Sequence, residues 1–353
     1  MNIDRDIIEL IALTRCPACK TNGSLVPTDK PAQFDLSMPL SDITIRCEQC
    51  DEPYPMTEDM IPIVWSPSLK QVFLDINKDP GDDSTTVSNM SANMTIYDKN
   101  SENYSKHARQ KDTLSRRVKK SVEILFPDGK TEGALHLDWA CGPGHVLSWL
   151  REFGFRQIGL DVSLVNLRNA RRHTGCRVIC GDASDMPFSN DTFQLVTEAS
   201  ALHHILDWKA AIRESCRITS ADGAIVMDAE PSDLQMAWSP LAIAVFNARF
   251  PVYKVLSYFM KDKYIFRDTK QAKLNLLAEI HHQPGTGFPL DVLRDTFKEG
   301  GFLAEVVMSP DAEMKSRPNV TWKSILLNVL SARNPWNPKY GSFTTIATAK
   351  TKS

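Results

Sequence analysis

The sequence has no long apolar run and no excess of charge of either sign. A membrane-spanning helix needs roughly 18 consecutive apolar residues. Residues 240–260 come nearest to this and are interrupted by Asn247, Arg249 and Lys254. The 41 Lys and Arg residues against 43 Asp and Glu residues give a net charge of −2. Proteins held to nucleic acid mainly by phosphate contacts are usually basic, so this near-neutrality weighs against that class.

The first residues also lack the apolar core of a secretory signal, since charged side chains occur at Asp4, Arg5 and Asp6. No internal repeat is visible. A hydrophobic fraction of 42% with 24% charged residues is ordinary globular composition, which excludes general disorder and fibrous repeats. We therefore expect a cytoplasmic globular protein. At roughly 150 residues per domain, its length predicts about two domains.

Four of the eight cysteines form two Cys-x-x-Cys pairs, Cys16 with Cys19 and Cys47 with Cys50. In a cytoplasmic chain, paired motifs of this kind favour a metal site over disulfides. Four thiolates are a complete tetrahedral ligand set for structural Zn²⁺ and leave no position open for catalysis. A redox-active dithiol is the alternative, but two matched pairs suit a metal better.

This cysteine-rich segment continues with Tyr54-Pro55 and Ile61-Pro62. Together with the two cysteine pairs, these elements resemble the zinc-ribbon family that includes the small activator subunit of tRNA, rRNA and protein methyltransferases. The resemblance covers about 60 residues and implies a zinc-ribbon domain over residues 1–66. Residues 77–95 are polar and poor in large apolar side chains, which predicts a linker over residues 67–95. Residues 96–353 then form the second domain.

From residue 134 onward, short apolar segments alternate with helical patterns. Strands are predicted at residues 134–138, 157–161, 177–180, 193–198, 224–228, 302–308 and 343–349. Ser163 and Asp207 are predicted N-caps of two intervening helices. The alternation predicts an α/β fold with a doubly wound parallel sheet. Residues 232–289 interrupt it with many aromatic residues and are predicted to be a helical insertion.

A glycine-containing loop, Leu137–Gly144, lies between the first of these strands and a helix. Glycines there let the backbone approach a ligand at the helix N-terminus. Asp161 ends the next strand, where an acidic side chain can hydrogen-bond the two ribose hydroxyls of an adenosine. The dinucleotide-binding fingerprint needs a third glycine where Leu147 stands, so binding of a pyrophosphate is disfavoured. S-adenosylmethionine, which carries an adenosine and an amino acid but no phosphate, fits better.

Residues 134–230 resemble a class I S-adenosylmethionine-dependent methyltransferase domain of the type found in ubiquinone and menaquinone biosynthesis. Four ordered motifs carry this resemblance: Leu137–Gly144, with Ala140 in place of the first glycine; Gly159–Asp161; Gly181–Phe188; and Ala201–Asp207. The resemblance implies a Rossmann-like sheet of seven strands and a bound S-adenosylmethionine.

The same resemblance implies which residues contact the cofactor. These are Asp138, Ala140, Gly142, Gly144, Asp161, Val162, Asp182, Ala183 and Glu198. The glycines would accommodate the methionine portion, Asp161 the ribose, and Asp182 the adenine amino group. Tyr97 and Tyr104 precede residues 134–230, and related enzymes often fold such a segment over the cofactor. Tyr104 is therefore a further candidate cofactor-binding residue, with packing alone as the alternative.

Methyl transfer from a sulfonium is an in-line displacement, in which alignment and exclusion of water supply much of the rate. A general base matters only where the acceptor must lose a proton. His203 and His204, after the fourth strand, and Glu230, after the fifth, are the candidates for this role. The alternative for the histidines is that they shape and pack the loop.

Two acceptor classes follow from these features. The apolar insertion and the net charge favour a small molecule of secondary or cell-envelope metabolism. A basic segment at residues 99–120 favours the alternative, an rRNA or tRNA base methyltransferase that recognises RNA through its zinc ribbon. No Asn-Pro-Pro-Tyr motif follows the fourth strand, which weighs against the alternative. A non-catalytic binding module is disfavoured by the intact motif set.

Overall fold

The computed structural model describes residues 4–30, 32–36, 38–75, 88–98, 112–256, 269–317 and 321–349. Its N-terminal unit contains helix α1 (Arg5–Ala12) and strands β1 (Leu25–Thr28), β2 (Thr44–Cys47) and β3 (Pro53–Tyr54). The three strands form an antiparallel sheet in the order β1-β2-β3. Because Cys47 is the last residue of β2, this sheet fixes the start of the second cysteine pair.

Two helices lie where the sequence predicts a linker: α2 (Pro67–Leu74) and α3 (residues 88–98). The hydroxyl of Ser66 caps α2 by accepting a hydrogen bond from the backbone N–H of Leu69. Leu69, Val72 and Phe73 recur at helical spacing, and all three are buried. Burial of this apolar face is why the segment is helical rather than extended.

The larger part of the chain is an α/β unit. Its strands are β4 (Leu135–Trp139), β5 (Arg156–Asp161), β6 (Arg177–Cys180), β7 (Phe193–Ala199), β8 (Thr219–Pro231), β9 (Phe302–Met308) and β10 (Ser342–Ala349). Its helices are α4 (Asp112–Leu125), α5 (His145–Trp149), α6 (Leu164–Thr174), α7 (Trp208–Ile218), α8 (Asp233–Met236), α9 (Pro240–Leu256), α10 (Thr269–Ala278), α11 (Leu290–Glu299) and α12 (Trp322–Leu330).

The seven strands form one sheet in the order β6-β5-β4-β7-β8-β10-β9. Strands β4 to β8 pair in parallel, as the sequence predicts. Strand β10 is antiparallel to both neighbours, β8 and β9, so the sheet is mostly rather than wholly parallel. The Rossmann-like fold with seven strands is confirmed. The order reverses at β4, and in such sheets ligands bind beyond the strand ends at that point.

Buried side chains form a core on each face of the sheet. Ile225 and Met227 belong to one cluster, whereas Val226 belongs to another, which also holds Leu114 and Val118 of α4. Successive side chains of a strand point to opposite faces, so the two clusters lie on opposite sides of the sheet. The first cluster continues without a break into the N-terminal unit.

The N-terminal unit covers the edge strand β6. The backbone N–H of Val64 donates to the carbonyl of Cys180 at 2.9 Å, and the N–H of Cys180 donates to the carbonyl of Pro62 at 2.9 Å. Arg15 forms ion pairs at 3.0 Å with both Asp185 and Glu214. An uncovered edge strand exposes unpaired backbone groups, so this contact both protects the sheet and fixes the position of the cysteine unit.

The interruption at residues 232–289 contains helices α8, α9 and α10, which agrees with the predicted helical insertion. Residues 257–268 of it lie outside the described residues. Helix α9 packs against α12. Within the described parts of the chain, every helix is too short or too polar to cross a bilayer.

The basic residues of α4 form ion pairs rather than an open basic face. The pairs are Arg116–Asp112, Arg117–Asp228, Lys119–Glu152 and Lys120–Glu123. The basic residues at positions 99–111 lie outside the described residues. Along α4 itself, neutralised side chains make poor contacts for nucleic-acid phosphates.

Candidate functional site

Two adjoining cavities open beyond the carboxyl ends of β4, β5 and β7. Both are lined by Asn93, Ala140, Asp161, Val162 and Ile205, so they form one continuous site. The first cavity also contains Asp138 and Gly142, and the second contains Asp182 and Ala183. The structure therefore brings seven of the predicted cofactor residues to one place.

The loop after β4 is built on left-handed backbone. Ala140, Gly142 and Gly144 have φ angles of 49°, 52° and 86°. A Cβ atom on Gly144 would lie 3.1 Å from the backbone of Ala170 in α6, so only glycine lets the loop pack this closely. Gly144 thus supports the loop from behind and is not among the residues lining either cavity.

Asp161 ties this loop to the end of β5. Its Oδ2 atom accepts a hydrogen bond from the backbone N–H of Gly142 at 2.8 Å, and its Oδ1 atom accepts one from Ser163 at 2.8 Å. Burial raises the pKa of Asp161 to about 6. A carboxylate oxygen can accept more than one hydrogen bond, so Asp161 keeps capacity for a ligand hydroxyl.

Asp182 lies at the other end of the site, against the N-terminal unit. The hydroxyl of Ser66 donates to its Oδ2 atom at 2.7 Å, and the N–H of Ser184 donates to Oδ1 at 2.8 Å. Burial raises the pKa of Asp182. Sequence reasoning missed Ser66, because no local signal connects a helix cap to an acid 116 residues later.

Two predicted acids lie beneath the loop that follows β7. Glu198 accepts hydrogen bonds from the N–H groups of Ala201 and Leu202, and Glu230 accepts from Leu202 at 3.1 Å and His203 at 3.0 Å. Neither acid lines the cavities. Burial raises the pKa of Glu230 to about 8. Both acids therefore hold the loop in place.

Of the three predicted catalytic residues, His204 alone lines a cavity. Its Nε2 atom lies 2.8 Å from the hydroxyl of Tyr97, and its Nδ1 atom lies 3.0 Å from the carbonyl oxygen of Ala278. Burial lowers the pKa of His204 to about 4, so the ring is neutral near pH 7. Tyr97 lines the same cavity, whereas Tyr104 lies outside the described residues.

Asn93 on α3 is a further lining residue that sequence reasoning missed. Its Nδ2 atom donates to the carbonyl oxygens of Asn89 and His204, at 3.0 and 3.2 Å. Its buried Oδ1 atom has no hydrogen-bond partner within the described parts of the chain. Buried polar atoms are nearly always paired, so this oxygen fits a ligand that brings a donor into the cavity.

The four cysteines of the N-terminal unit converge. The sulfur of Cys16 lies 3.7 Å from that of Cys50, and the sulfur of Cys19 lies 3.6 Å from that of Cys47. All four sulfurs lie within 4.8 Å of one another. Zn–S bonds of about 2.3 Å in a tetrahedron separate the sulfurs by about 3.8 Å. The cluster therefore has the dimensions of a tetrathiolate zinc site. The hydroxyl of Tyr54, 3.1 Å from the sulfur of Cys16, adds an outer contact.

Comparison with known proteins finds similarity over the part of the chain that supplies the glycine loop, Asp161 and Asp182. Residues 137–227 match the family described as "Methyltransferase domain". A demethylmenaquinone methyltransferase from Corynebacterium urealyticum is 35% identical over 91 residues, 26% of this chain and 39% of that protein. One from Mycobacterium marinum is 31% identical over 33% of this chain and 48% of that protein.

A malonyl-[acyl-carrier protein] O-methyltransferase from Erwinia billingiae is 29% identical over 36% of this chain and 53% of that protein. The chain thus matches about half the length, or less, of these curated relatives. A solved TehB-like methyltransferase from Corynebacterium glutamicum is 16% identical, with 71% of this chain and 99% of that one covered and a TM-score of 0.39. Residues 137–227 thus match a methyltransferase domain, and the sheet order is that of a Rossmann-like α/β fold.

Proposed function

We propose that this chain transfers a methyl group from S-adenosylmethionine to a small-molecule acceptor. The observation that carries this proposal is the continuous site in which Asp161 and Asp182 line the cavity beside the glycine loop. Bound S-adenosylmethionine supplies an electrophilic methyl group on a sulfonium. The protein's part is to orient the two reactants in line and to exclude water.

The cofactor residues divide into those that touch the ligand and those that position the loops. Asp161 would accept from the ribose hydroxyls and Asp182 from the adenine amino group, beside Val162 and Ala183. The methionine portion would lie along the loop at Asp138, Ala140 and Gly142. Gly144 and Glu198 act as positioning residues, since neither lines the cavity.

The part of the first cavity that we propose for the methyl acceptor, here called the acceptor end, is mostly apolar. Leu114, Val146 and Trp149 line it, and the polar groups of Tyr97 and His204 face it. This lining supports a small acceptor with one polar reacting centre on an apolar body. Relatives named for demethylmenaquinone support the same class. His204 is the catalytic candidate that reaches this wall, while His203 and Glu230 position it.

We further propose that the N-terminal unit is a zinc ribbon holding a structural Zn²⁺ on Cys16, Cys19, Cys47 and Cys50. The sulfur separations support this, and the closed ligand set leaves it no part in the chemistry. Its place on the edge of the sheet supports a bracing role for the adenine end of the site, through Ser66.

The proposed acceptor class is tested by label transfer. The protein is incubated with methyl-labelled S-adenosylmethionine and a cell extract, which is then separated into RNA, protein and small-molecule fractions. We expect label in the small-molecule or lipid fraction, and none with the Asp161→Ala variant. Label confined to RNA would contradict the proposal and favour the zinc ribbon as an RNA-recognition surface.

Binding of S-adenosylmethionine is expected to weaken as the pH falls through 6. The pKa of Asp161 is raised to about 6, so acidification protonates the acceptor of the ribose hydroxyls. Below that pH, the affinity should fall by about tenfold per pH unit, because binding then requires removal of a proton. Calorimetry between pH 5 and 8 measures this. The Asp161→Asn variant should bind weakly with a flatter pH dependence. An equally steep fall in that variant would assign the effect to another group.

A further inference from the structure

A second cluster of side chains that could bind a metal ion lies beside the acceptor end of the first cavity. It is separate from the four cysteines. His203, His204 and Glu279 each place one donor atom within 4.8 Å of the other two. The two imidazole centroids are 4.1 Å apart, and Nε2 of His203 lies 3.6 Å from Oε2 of Glu279. The histidines follow β7 and the glutamate follows α10, so only the tertiary fold brings them together.

The Nδ1 atom of each ring lies within hydrogen-bonding distance of an oxygen atom. Nδ1 of His203 lies 2.9 Å from Oε2 of Glu230, and Nδ1 of His204 lies 3.0 Å from the carbonyl oxygen of Ala278. A carbonyl oxygen can only accept, so Nδ1 of His204 is protonated. His203 has the same tautomer when its Nδ1–H donates to Oε2 of Glu230. A neutral ring protonated at Nδ1 keeps its lone pair on Nε2. Metal-binding histidines almost always donate their other N–H to a carboxylate or a backbone carbonyl, and both arrangements occur here.

We propose that His203, His204 and Glu279 bind a divalent transition-metal ion through two Nε2 atoms and one carboxylate. This donor set suits Fe²⁺, Co²⁺, Ni²⁺ or Zn²⁺ better than Mg²⁺ or Ca²⁺, which prefer oxygen ligands alone. The side chain of Glu279 is 44% exposed, which gives an ion access from solvent. The hydroxyl of Tyr97 lies 2.8 Å from Nε2 of His204 and therefore moves aside, or joins the ligands, when the ion binds.

The position of the cluster gives the ion a role. His204 and Tyr97 line the acceptor end of the cavity, so an ion on Nε2 of His204 lies at its wall. A divalent ion there would coordinate an acceptor oxygen and lower the pKa of its hydroxyl, which makes it a better nucleophile. This role rests on the proposed function, whereas binding of the ion does not.

The test is titration of Co²⁺ into protein that holds a single Zn²⁺ per chain, with binding measured by calorimetry and by visible absorption. The Zn²⁺ stays bound to the four cysteines, because a tetrahedral tetrathiolate site selects zinc. We expect one Co²⁺ per chain, without the intense thiolate-to-cobalt absorption that binding at the cysteines would give. Glu279→Gln and His203→Gln should each weaken binding more than about 100-fold, beyond the roughly 10–100-fold expected of the outer-shell variant Glu230→Gln. Tyr97→Phe should bind at least as tightly as the wild type.

His281→Gln is the matched control, since His281 belongs to the same loop as Glu279 but supplies no donor to the cluster. Its affinity for Co²⁺ should equal that of the wild type. Because the Glu279 side chain is partly exposed, thermal unfolding of Glu279→Gln should match the wild type and show that the fold is intact. Absence of Co²⁺ binding outside the cysteines, or full affinity in Glu279→Gln, overturns the proposal. Calorimetry of S-adenosylmethionine on the same samples separates this outcome from a failure of the proposed function.

Discussion

Removing the proposed Zn²⁺ from the four cysteines will weaken binding of S-adenosylmethionine by at least about tenfold, the equivalent of about 1.4 kcal/mol. Structural zinc contributes about 10–16 kcal/mol to the folding of small zinc units, so the N-terminal unit should unfold without it. Ser66 and Pro67 line the adenine end of the cavity, and Ser66 holds Asp182. When Ser66 and Pro67 are displaced, water reaches the adenine end of the cavity and the Asp182 carboxylate loses its hydrogen bond from Ser66.

This effect is measured by calorimetry on zinc-loaded, chelated and zinc-reconstituted protein, with metal content determined by mass spectrometry. The Ser66→Ala variant, which keeps the metal, isolates the hydrogen bond to Asp182 and should show a smaller loss. Reconstitution should restore the affinity. Unchanged affinity in fully demetallated protein would show that the zinc unit does not brace the site.

The Arg117→Ala substitution will destabilise the protein by about 3–5 kcal/mol, because it leaves a buried carboxylate without its partner. Asp228 is fully buried, and the side chain of Arg117 is 13% exposed. The guanidinium meets the carboxylate through Nε and Nη2, at 3.0–3.2 Å. The remaining contact of Asp228, from the hydroxyl of Thr344, cannot neutralise the charge.

The matched control is Arg116→Ala on the same helix, since the Arg116–Asp112 pair is exposed on both sides. Exposed pairs of this kind contribute about 0.3–0.5 kcal/mol. Urea unfolding of both variants measures the difference. Equal losses of stability in the two would mean that the Arg117–Asp228 pair is not buried as described.

Much of the fold is readable from local patterns. The strand at 302–308 is found with the predicted bounds, and Ser163 and Asp207 cap α6 and α7 as expected. Such features depend on periodicity and caps, which a few neighbouring residues determine. The antiparallel direction of β10 depends instead on how residues 309–341 return to the sheet. No local pattern encodes that path.

The candidate site likewise contains residues that local patterns predict and residues that they do not. The loop at 137–144 and Asp161 are found at the cavity because motif spacing fixes them relative to one strand and one helix. Glu198 is an equally plausible cofactor residue by sequence. Its position beneath the loop depends on how residues 200–205 fold back over it. Ser66 and Glu279 reach the site only through tertiary contacts, so sequence reasoning could not find them.

Calorimetric titration of S-adenosylmethionine into the wild-type protein and into Asp161→Ala tests whether the chain binds this cofactor through Asp161. Hydrogen bonds to a charged group contribute about 1.5–3 kcal/mol each, so loss of the two ribose contacts should weaken binding by at least about 100-fold. Asp295→Ala, an exposed acid on α11, serves as the control and should bind like the wild type. We expect one binding site per chain, with the affinity lost in Asp161→Ala and retained in Asp295→Ala. No binding to the wild type, or full affinity in Asp161→Ala, would contradict this expectation.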